Sequence, residues 1–246
     1  MPIVVLAVIL FQGFCLYHAS QSGKAQHWFY ILLLLPGIGS AAYILLELLP
    51  EFAGTRRGRK VIVDVATVLD PDRVFRERKA EAELTGTPAA KASLAEECAR
   101  KGMFDEAAQL YRSALTGHYA DDPHLLLGFA RVLIEKGDFA ECGQVLDHLR
   151  AKNPDFTSQE GQLIYARALE GQGKSDAAIA EYENLIGYFV GFEAKVRYAL
   201  LHQKLGNVAK ANELLQGVVK SFKAQPHHAQ ALNRDWYNVA SRNLEG

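Results

Sequence analysis

Between about Pro88 and Phe222 the chain repeats one pattern of apolar and polar residues four times. Each copy has two segments with apolar residues at three- and four-residue spacing, as in helices that bury one face. A glycine separates the two segments, and the four glycines, Gly102, Gly137, Gly173 and Gly206, lie 35, 36 and 33 residues apart. A period in this range predicts a solenoid of helix-turn-helix units.

Small residues occupy two fixed positions in every copy. One lies late in the first segment and the other five residues after the glycine, which gives the pairs Ala95 and Ala107, Ala130 and Cys142, Ala166 and Ala178, and Ala199 and Ala211. With this pattern the stretch resembles the tetratricopeptide repeat, although Lys91, Leu126, Gln162 and Lys195 stand where that family has an early tryptophan. The resemblance implies antiparallel helix pairs that approach closely at the small residues.

A further amphipathic segment follows the fourth copy. From Pro226 to Leu244, apolar residues including Trp236 recur at helical spacing. Because a solenoid needs polar end caps, we expect this segment to be a closing helix, with Trp236 in the core or cap rather than in a ligand site. The predicted fold is therefore all-α, with residues 87–246 forming four helix pairs and a C-terminal capping helix.

The first fifty residues have a different pattern. No charged side chain occurs before Lys24, the run from Ile3 to Tyr17 is almost wholly apolar, and a second apolar run extends from Trp28 to Leu49. The second run is long enough to cross a hydrocarbon layer of about 30 Å. We therefore predict a two-helix transmembrane anchor over residues 1–50. The alternative for the first run is a cleaved signal peptide, but it lacks a basic start and is followed by another apolar span.

The connector, residues 51–86, begins with a basic cluster made of Arg56, Arg57, Arg59 and Lys60. Under the positive-inside rule this cluster places both termini and the repeats in the cytoplasm, at a bacterial inner membrane. The cluster is either a topology determinant alone or also a site for anionic lipid headgroups, at about 1 kcal/mol per basic residue. Asp70 and Pro71 mark the start of a short solvated helix that ends near Gly86.

The spacing of Trp28, Pro36 and Tyr43 resembles the two-helix membrane module at the N-terminus of bacterial cardiolipin synthases and phospholipase D nuclease-like proteins. That resemblance directs attention to their HxKxxxxD motif. His148 and Asp155 have the required spacing, but Arg150 replaces the lysine and a second copy is lacking. We interpret this near match as chance.

Composition and motifs favour a protein without catalytic activity or a cofactor. The net charge of −1 and the pI of about 6.7 give no global basic field for nucleic acid. Cys15, Cys98 and Cys142 lack metal-ligand spacing and are expected to be reduced. The sequence contains no nucleophile elbow, phosphate loop, HExxH or GxGxxG motif. His202 is expected to be a packed core residue, and His227 and His228 a solvated loop pair.

The resemblance also implies a binding groove lined by the first helix of each unit. The positions it indicates are Glu96, Arg100, Leu127, Arg131, Glu135, Leu163, Arg167, Glu170, Val196, Leu200, Gln203 and Lys204. Arg100, Arg131 and Arg167 would lie on one wall, where they could bind an acidic or C-terminal carboxylate peptide. Alternatively, Glu96, Glu135 and Glu170 neutralise these arginines within the groove.

Together these features predict a membrane-tethered scaffold that binds a protein or peptide partner, itself membrane-associated, at the cytoplasmic face of the inner membrane. The alternative is an accessory or regulator of phospholipid or envelope metabolism that acts through the membrane module and contacts membrane lipids. Nucleic acid is not an expected partner.

Overall fold

The structure is a computed structural model that describes residues 13, 17, 46, 54, 55 and 70–245. Within these residues no helix combines the length and the apolar character that a membrane crossing requires. The two predicted transmembrane helices, apart from three single positions, and the whole basic cluster lie outside the described residues. The chain divides into two compact units, and the second, Val74–Gly246, contains all the repeat helices.

The described part of the chain consists of helices joined by turns and short loops, without strands. Its α-helices are α1 (Arg73–Thr85), α2 (Pro88–Arg100), α3 (Phe104–Ala114), α4 (Pro123–Lys136), α5 (Phe139–Lys152), α6 (Gln159–Gly171), α7 (Ser175–Ile186), α8 (Glu193–Lys204), α9 (Val208–Ala224) and α10 (His227–Glu245). A short 3₁₀ turn, Gly117–Tyr119, lies between α3 and α4. The helix predicted between Asp70 and Gly86 is α1.

The repeat helices pack as four pairs: α2 with α3, α4 with α5, α6 with α7, and α8 with α9. The last helix, α10, packs on α9 and also touches α8. The predicted arrangement of four helix pairs and a C-terminal closing helix is therefore confirmed for the described residues. Trp236 is partly buried against the core of the last two pairs, as expected for a cap residue. His227 and His228 are exposed, but in the first turn of α10 rather than in a loop.

The turns within the pairs explain the glycine spacing. Gly102, Gly137, Gly173 and Gly206 have φ values of 76°, 89°, 75° and 82°. This left-handed conformation reverses the chain after the first helix of each pair, and glycine adopts it without a steric penalty. Three of the four first helices start at side-chain caps: Thr87, Asp122 and Ser158 accept hydrogen bonds from the first turns of α2, α4 and α6.

The eight small residues are completely buried. Ala95, Ala107, Ala130, Cys142, Ala166, Ala178, Ala199 and Ala211 all have 0% exposure. In the second pair the Cys142 thiol donates to the Ala130 carbonyl oxygen at 3.5 Å. A larger side chain at these positions would force the two helices apart.

Two apolar clusters form the core. The first joins the first two pairs and reaches Ile164 and Ala168 of α6, and the second joins the last two pairs and α10. The largest fully buried or nearly buried side chains are three tyrosines, Tyr111, Tyr182 and Tyr198. Tyr182 and Tyr198 place their hydroxyls on Glu170 and Glu183, so their rings are buried and their polar ends are paired.

The first helices form an inner layer. Besides its own partner, α4 touches both α2 and α6, while each second helix packs on the first helix of the next pair. This arrangement exposes successive first helices side by side, and the candidate site lies along them.

Candidate functional site

A cavity of about 560 Å³ lies along the inner layer of the first three pairs. Its lining residues are Glu96, Ala99, Arg100, Phe104, Tyr111, Gly128, Arg131, Val132, Ile134, Glu135, Glu160, Leu163, Ile164, Arg167 and Glu193. We call this cavity the groove. It brings together six of the predicted groove residues: Glu96, Arg100, Arg131, Glu135, Leu163 and Arg167.

Tyr111 forms the floor of the groove between α2 and α4. Its ring is 2% exposed and lies 6.2 Å from the ring of Phe129 between centroids. Burial raises the pKa of Tyr111 to about 12, with a further increase from the charge of Glu96 and an opposing effect of Arg131. The hydroxyl is therefore neutral at physiological pH. Among the described residues it has no hydrogen-bond partner.

Two groove arginines are held by glutamates from neighbouring pairs. Arg131 of α4 makes a two-point contact with Glu160 of α6, in which the Arg131 Nη2 to Glu160 Oε2 distance is 2.8 Å. Arg167 of α6 donates to Glu135 of α4 at 3.0 Å. The Glu160 contact is the main cause of the raised pKa of Arg131. In these two ion pairs each helix contributes one arginine and one glutamate, and together the pairs join α4 to α6 along the groove wall.

The third arginine pairs within its own helix. Arg100 contacts the carboxylate of Glu97, one turn earlier in α2. The Glu97 residue is 3% exposed, whereas the Arg100 side chain is 67% exposed. Arg100 therefore covers a buried negative charge and presents the rest of its guanidinium to solvent at the rim.

Glutamates outnumber arginines in the lining. The four glutamates are Glu96, Glu135, Glu160 and Glu193, against the three arginines. Glu193 pairs with Arg197 of its own helix at 2.8 Å, and Arg197 lies over the Trp236 ring. Glu96 is exposed, and it has no ion pair or hydrogen bond to any described side chain. It is the one lining charge in this part of the structure that lacks a partner.

The remaining predicted groove residues lie elsewhere. Leu127 and Val196 are buried in the two core clusters, at 6% and 0% exposure. Glu170 accepts a hydrogen bond from Tyr182, so it does not neutralise an arginine. In the last pair, Leu200 packs on the second cluster, Gln203 contacts the carbonyl of Asn243 in α10, and Lys204 is exposed. The cavity reaches the fourth pair only at Glu193.

Sequence reasoning missed Tyr111, Glu160 and Glu193. Tyr111 belongs to a second helix, yet its side chain reaches the inner layer because Gly128 of α4 leaves space for the ring. Glu160 and Glu193 lie in the first turn of their helices, ahead of the positions that the family resemblance indicates. The glycine in the middle of an otherwise apolar helix was the available signal, because such a glycine often marks a close approach by another group.

Four titratable groups outside the groove are packed in the core or paired with another side chain. Cys98 and Cys142 are free and buried, and burial raises the pKa of Cys142 to about 12, which opposes thiolate chemistry. His202 is 7% exposed, and its ring packs at a tilt against Tyr198 with the ring centroids 4.6 Å apart, as predicted for a packed histidine. His148 contacts Asp121 at 2.7 Å. Residues 70–245 and the isolated described positions contain no cluster of three or more metal-ligating side chains.

The helix pairs, the inner layer and the groove define a helical-repeat solenoid with a binding surface on its first helices. Two family models of the tetratricopeptide repeat match the chain, one over residues 99–160 and one over residues 165–226. Together the matches cover just over half of the chain, which is therefore a tetratricopeptide repeat protein. Neither match includes residues 1–50, so the resemblance of that stretch to a phospholipase D-type membrane module gains no support. No curated protein matches the chain.

Proposed function

We propose that this protein is a scaffold whose groove holds a segment of a protein partner, and that residues 1–50 tether it to the cytoplasmic face of a bacterial inner membrane. Tetratricopeptide repeats typically mediate protein-protein interaction, and the two family matches cover the helices that form the groove. The observation that carries the proposal is the cavity itself, which spans the first helices of three successive pairs.

The lining of the groove suits binding better than catalysis. It combines apolar surface from residues such as Val132, Ile134 and Leu163 with charged groups at the rim. Its arginines are held in ion pairs and its tyrosine is kept neutral, so neither provides an activated nucleophile or base. Recognition sites commonly have this composition, with an apolar floor and a few placed polar groups.

Site-specific photocrosslinking in cells tests the proposal. A photoreactive amino acid at Ala99 or Phe104 lies in the groove, whereas the same amino acid at Gln144 or Ala180 lies on exposed second-helix surface. We expect a discrete crosslinked partner from the groove positions and none from the controls. Capture from Gln144 and Ala180 alone would instead place the binding surface on the second helices.

Reversing the charge of all three groove arginines is a poor test. Such a variant would bring new glutamates against Glu97, Glu160 and Glu135, the carboxylates that the arginines now neutralise. The resulting repulsion would destabilise the repeats, so loss of the partner would not report on the groove. Crosslinkers at positions without ion-pairing roles avoid this problem, and Ala99 is such a position.

The membrane tether rests on the apolar runs of residues 1–50 and on the basic cluster that follows them. Protease treatment of sealed inverted vesicles tests the orientation: we expect the repeats to be digested there and protected in right-side-out spheroplasts. The opposite pattern, or release of the repeats by carbonate washing, would overturn it.

The basic cluster can be tested separately for binding to anionic lipids. Replacing Arg56, Arg57, Arg59 and Lys60 with glutamine should lower binding of the full chain to vesicles containing anionic lipids, while the protease pattern stays the same. If the orientation changes and lipid binding does not, the cluster acts only as a topology determinant. The result also bears on a role in phospholipid or envelope metabolism, which requires lipid contact.

A further inference from the structure

The charge balance of the groove points away from an acidic ligand. The lining contains one more glutamate than arginine. Arg131 and Arg167 are engaged by Glu160 and Glu135, and Arg100 is engaged by the buried Glu97. A glutamate therefore already balances the charge of each arginine. A carboxylate ligand would add a further negative charge to a lining in which glutamates outnumber arginines, and this opposes its binding.

Glu96 is in the opposite situation. It lies in the middle of α2, it lines the groove, and its carboxylate meets no cation among the described residues. Its negative charge nevertheless acts on Tyr111 and Arg131, which line the same groove. Arg131 directs its Nε and Nη2 atoms to Glu160 and makes no ion pair with Glu96.

The Tyr111 hydroxyl is the second polar group left open in the groove. No described residue hydrogen-bonds to it, although the ring around it is almost wholly buried. The hydroxyl itself lines the groove and is not among the buried polar atoms that lack a partner, so a ligand donor can hydrogen-bond to its oxygen in place of water. One free carboxylate and one free hydroxyl oxygen both accept hydrogen bonds, and together they suit a ligand that donates several.

We propose that the groove binds a partner segment through a lysine or arginine side chain, with Glu96 as its counter-ion and the Tyr111 hydroxyl oxygen as a further acceptor. Ala99, Phe104 and Ile134 supply apolar surface beside these groups, where the methylene stem of such a side chain can pack. The inference rests on the proposed scaffold function. It adds that the side chain of the partner held in the groove is positively charged.

A selection of phage-displayed random dodecapeptides on the purified full chain tests the inference. We expect selected peptides to share a lysine or arginine at one position, and its replacement by glutamate in the synthetic peptide to weaken binding at least tenfold. Glu96→Gln should weaken binding of the unchanged peptide about tenfold, the range of a charge-assisted hydrogen bond. Glu96→Lys should weaken it further and favour the glutamate peptide.

Glu106→Gln is the matched control. Glu106 is an exposed glutamate of α3 that lies outside the groove, so the substitution makes the same charge change without touching the site. Its affinity for the selected peptide should equal that of the wild-type chain. Circular dichroism of all variants reports whether the helices are intact.

Two outcomes overturn the inference and can be told apart. In the first outcome, the selected peptides block crosslinking from a photoreactive amino acid at Ala99, but they carry acidic or uncharged residues at every common position. The groove then binds peptide segments, and the inference of a cationic side chain is wrong. If the selected peptides bind Glu96→Gln and Ala99 crosslinker variants like the wild-type chain, the groove is not the binding site, and the proposed function fails with the inference.

Discussion

A Cβ atom on Gly128 would lie 2.5 Å from the hydroxyl oxygen of Tyr111 and 2.8 Å from the ring carbon that bears it. The glycine of α4 therefore makes room for the tyrosine of α3, and the floor of the groove exists because of this contact. The Tyr111 ring is packed in the core at 2% exposure, so it cannot move aside easily to admit a methyl group.

We predict that Gly128→Ala destabilises the protein by about 1–3 kcal/mol, the usual cost of overpacking, although alanine favours helix by about 1 kcal/mol. Denaturant unfolding followed by circular dichroism measures the change. The double variant with Tyr111→Phe, which removes the clashing oxygen, should recover part of the loss.

Gly143→Ala is the control for that substitution. Gly143 is also buried within a helix, but a Cβ there meets only the amide nitrogen of Gln172, at 3.0 Å, at the end of a flexible side chain. This substitution should be neutral or slightly stabilising. Equal destabilisation by both alanines would contradict the role assigned to the Tyr111 contact.

Removal of Arg100 should expose the cost of the buried Glu97 carboxylate. Arg100→Ala leaves that carboxylate at 3% exposure without its cation. Because solvent reaches most of the arginine and can partly replace it, we expect a moderate loss of about 1–2 kcal/mol rather than the larger values of fully buried pairs.

The partner substitution distinguishes charge from packing in this pair. In the Arg100→Ala background, Glu97→Gln removes the uncompensated charge and should restore most of the lost free energy of unfolding. A thermodynamic cycle of the two single variants and the double variant measures the coupling. If the two losses simply add, the ion pair does not stabilise α2.

Alkaline pH should destabilise the repeats. The pKa of Tyr111 rises from 10.0 in its ordinary surroundings to about 12 in the fold, and that of Cys142 rises from 9.0 to about 12. Each raised pKa means that the folded state retains the proton more tightly. The stability that these two groups contribute is therefore fully present below pH 9 and is lost as the pH rises toward 12.

The Tyr111→Phe variant shows how much of this pH dependence comes from Tyr111. Between pH 10 and 12 this variant should lose stability less steeply than the wild-type chain, by an amount on the order of 1–3 kcal/mol over the interval. Tyr119→Phe, at an exposed tyrosine, should leave the slope unchanged. Measuring the free energy of unfolding across this pH range in the three proteins tests the assignment.

The loop between α7 and α8 should depend on one glutamine. The Gln159 side chain donates to the carbonyl of Tyr188 at 3.0 Å and accepts from the amide of Val190 at 3.1 Å. Gln159→Ala should raise amide hydrogen exchange in this loop while exchange in α4 and α5 stays the same. Gln144→Ala, at an exposed position, is the control. Unchanged exchange at Val190 would show that the loop is held by other contacts.

The repeats could be predicted because their determinants are local. A turn with positive φ needs glycine wherever it occurs, and a helix pair that approaches closely needs small residues at the crossing. Both requirements recur with every unit, as at Gly137 with Ala130 and Cys142, so four copies reinforce one another in the sequence. The closing helix was predictable for a related reason: its apolar spacing is that of a helix with one buried face.

The groove contacts could be predicted only in part. Arg131 and Glu160 are 29 residues apart, and their contact depends on how far α6 is rotated and shifted along α4. Of the three glutamates expected to neutralise arginines, only Glu135 does so, because small rotations of each helix decide which side chains face one another. Glu170 instead meets Tyr182 of its own pair.

The sequence by itself determined the number of helix pairs, their turns, the small residues between them and the capping helix, since these follow from short-range sterics and from hydrophobic periodicity. The membrane anchor of residues 1–50 stays a prediction from the sequence. Only the tertiary structure decided that the groove arginines are already paired and that Glu96 and Tyr111 are left open. The physical reason is that an ion pair between helices forms only when its charged atoms lie within a few ångströms of each other. The packing of whole helices sets these distances, and the spacing of residues along the sequence does not.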